Sequence, residues 1–122
     1  MLGVQTGKAL AALYTGAGAF VLPSSHEGQP IAVLEALSYG CRVVLSDIAP
    51  HREIGAARAR YFSPGDVAAL AEQLRATCQD HGKPRLSAAE QARIMRTHNW
   101  ARIAESTLEV YRAALRNPAS AR

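Results

Sequence analysis

Apolar residues occur along this chain in two patterns, short unbroken runs and stripes at helical spacing, and the two alternate. Leu10, Leu13, Tyr14 and Ala17 recur at three- and four-residue intervals. That spacing predicts a helix over Lys8 to Ala17, closed by Gly16 and Gly18. Phe20-Val21-Leu22 is a run stopped by Pro23. A run without polar alternation suits a strand buried on both faces, as in a parallel sheet. Ser24 to Gln29 reads as a polar loop, and Pro30 fits the first turn of a helix, where its missing N–H does no harm. That helix carries Ile31, Val33, Leu34, Ala36 and Leu37 and stops at Gly40.

A second buried strand is predicted over Arg42 to Ser46, followed by a short helix that Pro50 opens and Gly55 ends. Tyr61-Phe62 predicts a third strand and Ser63-Pro64-Gly65 a turn. Asp66 is placed as an N-cap ahead of a stripe of Val67, Leu70, Ala71, Leu74 and Cys78. Gly82-Lys83-Pro84 breaks the chain. Ser87 and Glu90 then have the spacing of a capping box. The last stripe is the clearest: Trp100, Ile103, Ala104, Thr107, Leu108, Tyr111 and Leu115, ended by Asn117-Pro118. No internal repeat interrupts this order.

Strand–helix alternation predicts an α/β fold, a partial Rossmann-like parallel sheet of about three strands flanked by helices. A complete doubly wound sheet usually has about five or six strands. Residues 1–118 are therefore expected to be part of one domain, with 119–122 as a frayed tail.

Composition narrows the class. The chain has 122 residues, 48% hydrophobic and 20% charged, within the range of soluble globular proteins. No apolar stretch reaches membrane-span length, and residues 1–7 lack a signal-peptide core, so a cytoplasmic protein is expected. Cys41 and Cys78 lack metal spacing and are read as small buried residues. The net charge of +4 is nearly all arginine, concentrated after Arg85. It suits phosphate-bearing substrates or peripheral contact with an anionic membrane face, or simply a solvated helix face. Nucleic acid is not expected, because basic residues are not interleaved with aromatics.

The candidate chemistry lies in the loop after the first run. His26-Glu27-Gly28-Gln29-Pro30 leads from a buried strand into a helix, and ligands of open α/β sheets bind beyond the C-terminal ends of strands. A helix N-terminus there presents N–H groups and a positive dipole end to a phosphate. Gly28 allows close approach of the backbone. Glu27 and Glu35 supply carboxylate acceptors for a hydroxyl-rich ligand, one in the loop and one more than a turn inside the helix. From spacing alone, Glu27 as a solvated loop residue and Glu35 as a surface helix residue is the favoured reading, because isolated motifs are weak. His26, His51, His81 and His98 are scattered and not favoured for acid–base work, Asp47 reads as a loop cap, and Glu53 as a helix-opening residue favouring the dipole. Trp100 and Tyr111 read as packing residues.

The stretches Phe20-Val21-Leu22-Pro23-Ser24-Ser25-His26-Glu27-Gly28-Gln29-Pro30, Leu34-Glu35-Ala36-Leu37-Ser38-Tyr39-Gly40 and Val43-Val44-Leu45-Ser46-Asp47 together resemble retaining GT-B glycosyltransferases of family four. The Glu-x7-Glu signature of that family falls on Glu27 and Glu35, and the resemblance continues through Pro50–Ile54, Phe62–Asp66 and Asn99–Tyr111. It implies the C-terminal, donor-binding part of such an enzyme. By the resemblance, Glu27 would contact the transferred sugar as the catalytic carboxylate without acting as a nucleophile. Gly28, Gln29, Ile31 and Ala32 would meet the sugar and diphosphate through their backbones, and Glu35 would accept from the ribose hydroxyls. The family often has glycine where Pro30 stands, so one N–H donor is missing here.

The resemblance also implies a UDP- or GDP-sugar donor, a glycan or lipid-linked acceptor, no cofactor and no metal. It implies an acceptor domain and a basic diphosphate clamp that match no segment of these 122 residues. The chain is thus expected to be inactive alone and to need an acceptor-domain partner chain, or to self-associate through the open edge of its first strand. The alternative is a non-catalytic nucleotide-binding or protein-interaction module.

Overall fold

The computed structural model describes residues 2–80 and 85–116. His81, the break at Gly82-Lys83-Pro84, the stop at Asn117-Pro118 and the tail at 119–122 lie outside the described residues. The elements follow in the order α1 (Gly7–Gly16), β1 (Phe20–Leu22), α2 (Ile31–Ser38), β2 (Val43–Ser46), α3 (Ala49–Glu53), β3 (Arg60–Phe62), α4 (Val67–Gln79), α5 (Ala88–Thr97) and α6 (Trp100–Arg116). The three strands form one parallel sheet in the order β1-β2-β3. Leu22 pairs with Leu45, and Ser46 with Phe62.

All four residues of β2 are buried, as an unbroken apolar run requires of a central strand. The core gathers around it: Val33, Ala36 and Leu37 from α2, Cys41 and Leu45, Ile54 and Ala56 after α3, Ile94 from α5 and Tyr14 from α1. The helix ends are set by local chemistry. Gly40 has φ +71° and Cys41 N–H bonds Ala36 O at 3.0 Å while Gly40 N–H bonds Leu37 O at 2.9 Å, a left-handed cap that satisfies the last carbonyls of α2. Asp66 caps α4 by accepting from Ala69 N–H at 2.8 Å, and Ser87 and Glu90 form the reciprocal capping box of α5.

The expectations fail at a helical stripe, a strand edge, a helix end and the last helix. Cys78 is exposed, not buried. The inward face of α4 runs through the partly buried Leu70 and Leu74 to the buried Thr77, which puts Cys78, about 100° further round, outside with Val67. β1 is half-buried instead of enclosed, because β2 covers only one of its edges. Glu53 closes α3 instead of opening it: Ile48 is the N-cap and Pro50 occupies the first turn, so Glu53 is the final residue. Trp100 and Tyr111 do not pack inward. They are 72% and 65% exposed, and α6 buries none of its residues.

Candidate donor-binding site

The loop between β1 and α2 leaves the sheet at the C-terminal ends of the strands and turns directly into a helix N-terminus. Glu27 is half-buried within it. Its Oε1 accepts a 2.6 Å hydrogen bond from Ser24 Oγ, which holds the carboxylate against the exit of β1. Such a charge-assisted bond is about twice as strong as a neutral one. Gly28 is exposed, has an ordinary φ, and has no heavy atom within 4 Å of where a side chain would project. The surface in front of the loop is therefore open.

Pro30 is the N-cap of α2 and provides no side-chain cap. Ile31 N–H turns back onto Gln29 O at 2.9 Å, so it is engaged within the turn. The N–H groups of Gly28, Gln29 and Ala32 make no hydrogen bond to the described residues, at the positive end of the helix dipole.

Glu35 is exposed one turn further along, and its Oε2 accepts from Tyr14 Oη at 3.2 Å. Tyr14 itself is buried and stacks on Tyr39 with ring centroids 5.4 Å apart. Burial, and then the hydrogen bond to Glu35, push its phenol above the ordinary tyrosine range, so it stays a proton donor. Ser24 and Tyr14 were not singled out from the sequence as site residues. The signal for both is a hydroxyl that folding brings next to a motif carboxylate, and only Ser24, three residues from Glu27, was legible locally.

Gln29, Ile31 and Glu35 share a shallow pocket of about 250 Å³ with Met95, His98 and Trp100, where the Gln29 amide lies 3.4 Å from His98 Nδ1. Glu27 does not line it. A larger cavity of about 420 Å³ lies at the other end of the sheet, around Arg42, Arg58, Arg60 and Arg85. It is the less apt site, because ligands of open α/β sheets bind at the C-terminal strand ends and three of these arginines, Arg42, Arg60 and Arg85, are engaged in holding the fold. Arg42 bonds Asp80 O, Arg60 pairs with the Asp80 carboxylate at 2.7 Å, and Arg85 bonds Thr15 O and Ala17 O.

Of the remaining residues weighed from sequence, Asp47 is exposed and takes a bidentate pair of 2.7 Å bonds from Arg52. His26 is exposed beside Ser25, and His51 is fully buried. Among the described residues no cluster of three or more His, Cys, Asp or Glu could hold a metal, and no helix is long and apolar enough to cross a membrane.

A family model described as glycosyl transferases group 1 matches residues 1–95. The chain belongs to that family. Its GT-B character accords with the parallel three-stranded α/β sheet, and the chain corresponds to a C-terminal part of such a glycosyltransferase. It is 28% identical to the O-antigen chain mannosyltransferase B of Escherichia coli over 111 residues, which cover 91% of this chain and 29% of the relative. It is 34% identical to the glycogen synthase of Mycobacterium tuberculosis over 110 residues, covering 88% of this chain and 27% of that protein. The chain thus spans less than a third of the length of these relatives. No solved structure matches it significantly.

Proposed function

We propose that this group 1 glycosyltransferase chain provides the nucleotide-sugar side of a retaining glycosyltransferase. In this reading Glu27 accepts hydroxyls of the transferred hexosyl group, the N–H groups of Gly28, Gln29 and Ala32 receive the sugar-bearing diphosphate with the backbone of Ile31 beside it, and Glu35 takes the ribose hydroxyls. The observation that carries it is the seating of both motif carboxylates by neighbouring hydroxyls, at a loop-to-helix junction with open space in front of Gly28. A carboxylate held in advance loses little freedom when it orients a sugar, and positioning can contribute roughly 7–11 kcal/mol to a reaction between two bound partners.

The relatives are named for an O-antigen chain and for glycogen, which supports hexosyl transfer in polysaccharide synthesis; in this reading the acceptor is a glycan or a lipid-linked glycan. The donor is a UDP- or GDP-sugar. Glu27 orients the sugar and is not its nucleophile. The acceptor side comes from another domain or chain, and a second copy paired along β1 is a further partner. The expected location is the cytoplasm or the inner membrane face.

The test is an amide-resolved NMR titration of the 122-residue chain with UDP, GDP, UDP-glucose and GDP-mannose. A helix N-terminus contributes about 0.3–2 kcal/mol, so a dissociation constant near or above about 1 mM is expected. Shifts should be confined to Glu27–Glu35, with no sugar transfer. No shift there at tens of millimolar, or shifts only around the arginine-lined cavity, would refute the reading.

A further inference from the structure

The buried polar groups behind the loop form a chain that ends on Glu27. Ser24 Oγ donates to Glu27 Oε1 at 2.6 Å. Ser24 is held in turn: its carbonyl accepts from Ser46 Oγ at 2.5 Å. Ser46 is the last residue of β2 and is fully buried. His51, on α3 and fully buried, places its Nδ1 2.8 Å from Ser46 O and 3.2 Å from Ser46 Oγ.

The proton positions follow from the acceptors. The carbonyls of Ser24 and Ser46 can only accept, and the single hydroxyl proton of Ser46 goes to Ser24 O. His51 must therefore donate from Nδ1 to Ser46, which leaves a lone pair on Nε2. That Nε2 is buried and has no hydrogen-bond partner among the described residues. An unpaired buried acceptor is unfavourable, and an apolar side chain would avoid it. Only the Nδ1–H uses the polarity of the ring.

We infer that Ser46 and His51 are positioning residues for Glu27: His51 fixes the end of β2, Ser46 ties it to the exit of β1, and Ser24 passes that constraint to the carboxylate. They touch no ligand. The functional consequence rests on the sugar-contacting reading of Glu27 proposed above, while the positioning itself does not.

The test uses the whole chain in two arms. In the first, without ligand, 15N relaxation is measured on Ser46→Ala, Ser46→Thr, His51→Leu and His51→Asn, the last of which returns a donor near the Nδ1 position. Ser46→Ala and His51→Leu should lower the order parameters of residues 25–28 from about 0.85 to below about 0.6, while Tyr14 and Glu35 stay unchanged. Ser46→Thr and His51→Asn should restore them. If His51→Leu does not fold, the Ser46 pair decides. Loop order unchanged in folded Ser46→Ala, or loss spread evenly over the sheet, overturns the inference.

In the second arm, Ser46→Ala should lose the difference in affinity between UDP-glucose and UDP, or between GDP-mannose and GDP, with nucleotide binding kept. A loosened loop with that difference intact would uphold the positioning and defeat the sugar contact of Glu27.

Discussion

At the scale of single residues, Glu27 and Glu35 differ in what holds them. Glu27 is half-buried and bonded within its own loop, whereas Glu35 is exposed and bonded to a tyrosine on another helix. If Glu27 meets the reacting sugar and Glu35 the distant ribose, their removal should separate kinetically. In a complete enzyme or a reconstituted complex, Glu27→Ala should lower kcat by about 100-fold, the scale of losing a transition-state hydrogen-bonding group. Glu35→Ala should raise KM about tenfold, as expected for uniform binding through one charged acceptor. Equal losses in kcat alone would contradict the assignment. Asp47 titrates for a different reason. The hydrogen bonds from Arg52, more than simple charge, hold its carboxyl below the usual range against an opposing effect of desolvation. A depressed folded value means that the stabilisation is present above the unfolded value and disappears as pH falls through the folded one. Asp47→Asn should therefore lower the urea midpoint at pH 7 and have no effect at strongly acidic pH, and a deficit that persists there would show that the ion pair is not its cause.

At the scale of elements, the sequence was most legible where one residue sets a backbone conformation. Gly40, Asp66 and the Ser87–Glu90 pair each placed a helix boundary, and the structure has those boundaries. It was least legible where the outcome depends on which neighbour is present. The apolar stripe of α4 contains both Leu74 and Cys78, and only contact with the sheet decides which of them turns inward. The site divides in the same way. The Glu-x7-Glu spacing was visible along the chain, but the hydroxyls of Tyr14 and Ser46 reach it across 21 and 22 residues of sequence, to Glu35 and to Ser24. Two glycines make the contrast measurable. Gly40 holds φ +71°, so Gly40→Ala should cost about 1–2 kcal/mol in chemical denaturation although nothing stands within 4 Å of the added methyl. Gly28 has an ordinary φ and equally open space. Gly28→Ala should leave stability unchanged or raise it by about 0.4–1 kcal/mol, through the unfolded chain. It should nonetheless weaken nucleotide-dependent NMR shifts, because the methyl enters the approach to the loop. A destabilised Gly28→Ala or an unaffected Gly40→Ala would reverse that reading of the two turns.

At the scale of the whole molecule, burial is concentrated around β2 and falls off toward α6. Val44 and Leu45 are fully buried, and the sheet pairs β2 on both sides. α6 runs for 17 residues and buries none of them, with Trp100, Leu108, Val110, Tyr111 and Leu115 all exposed. Its amphipathic pattern predicted the helix correctly, since periodicity reports that a face exists and not whether anything covers it. A helix of this length that buries none of its described residues and touches the rest of the fold only near Trp100 and Ile103 is only marginally stable in water. Native-state hydrogen exchange of the 122-residue chain should then divide sharply. Amides of β2 should exchange only through global unfolding, while those of α6 should open locally at close to zero free energy. Denaturant should accelerate β2 exchange and leave α6 almost unchanged, because local fraying exposes little new surface. Protection of α6 equal to that of β2 would mean that the stripe is covered in solution. Repeating the measurement across a hundredfold range of protein concentration would show whether the cover is a second copy, whose protection falls on dilution, or packing within the chain, which does not.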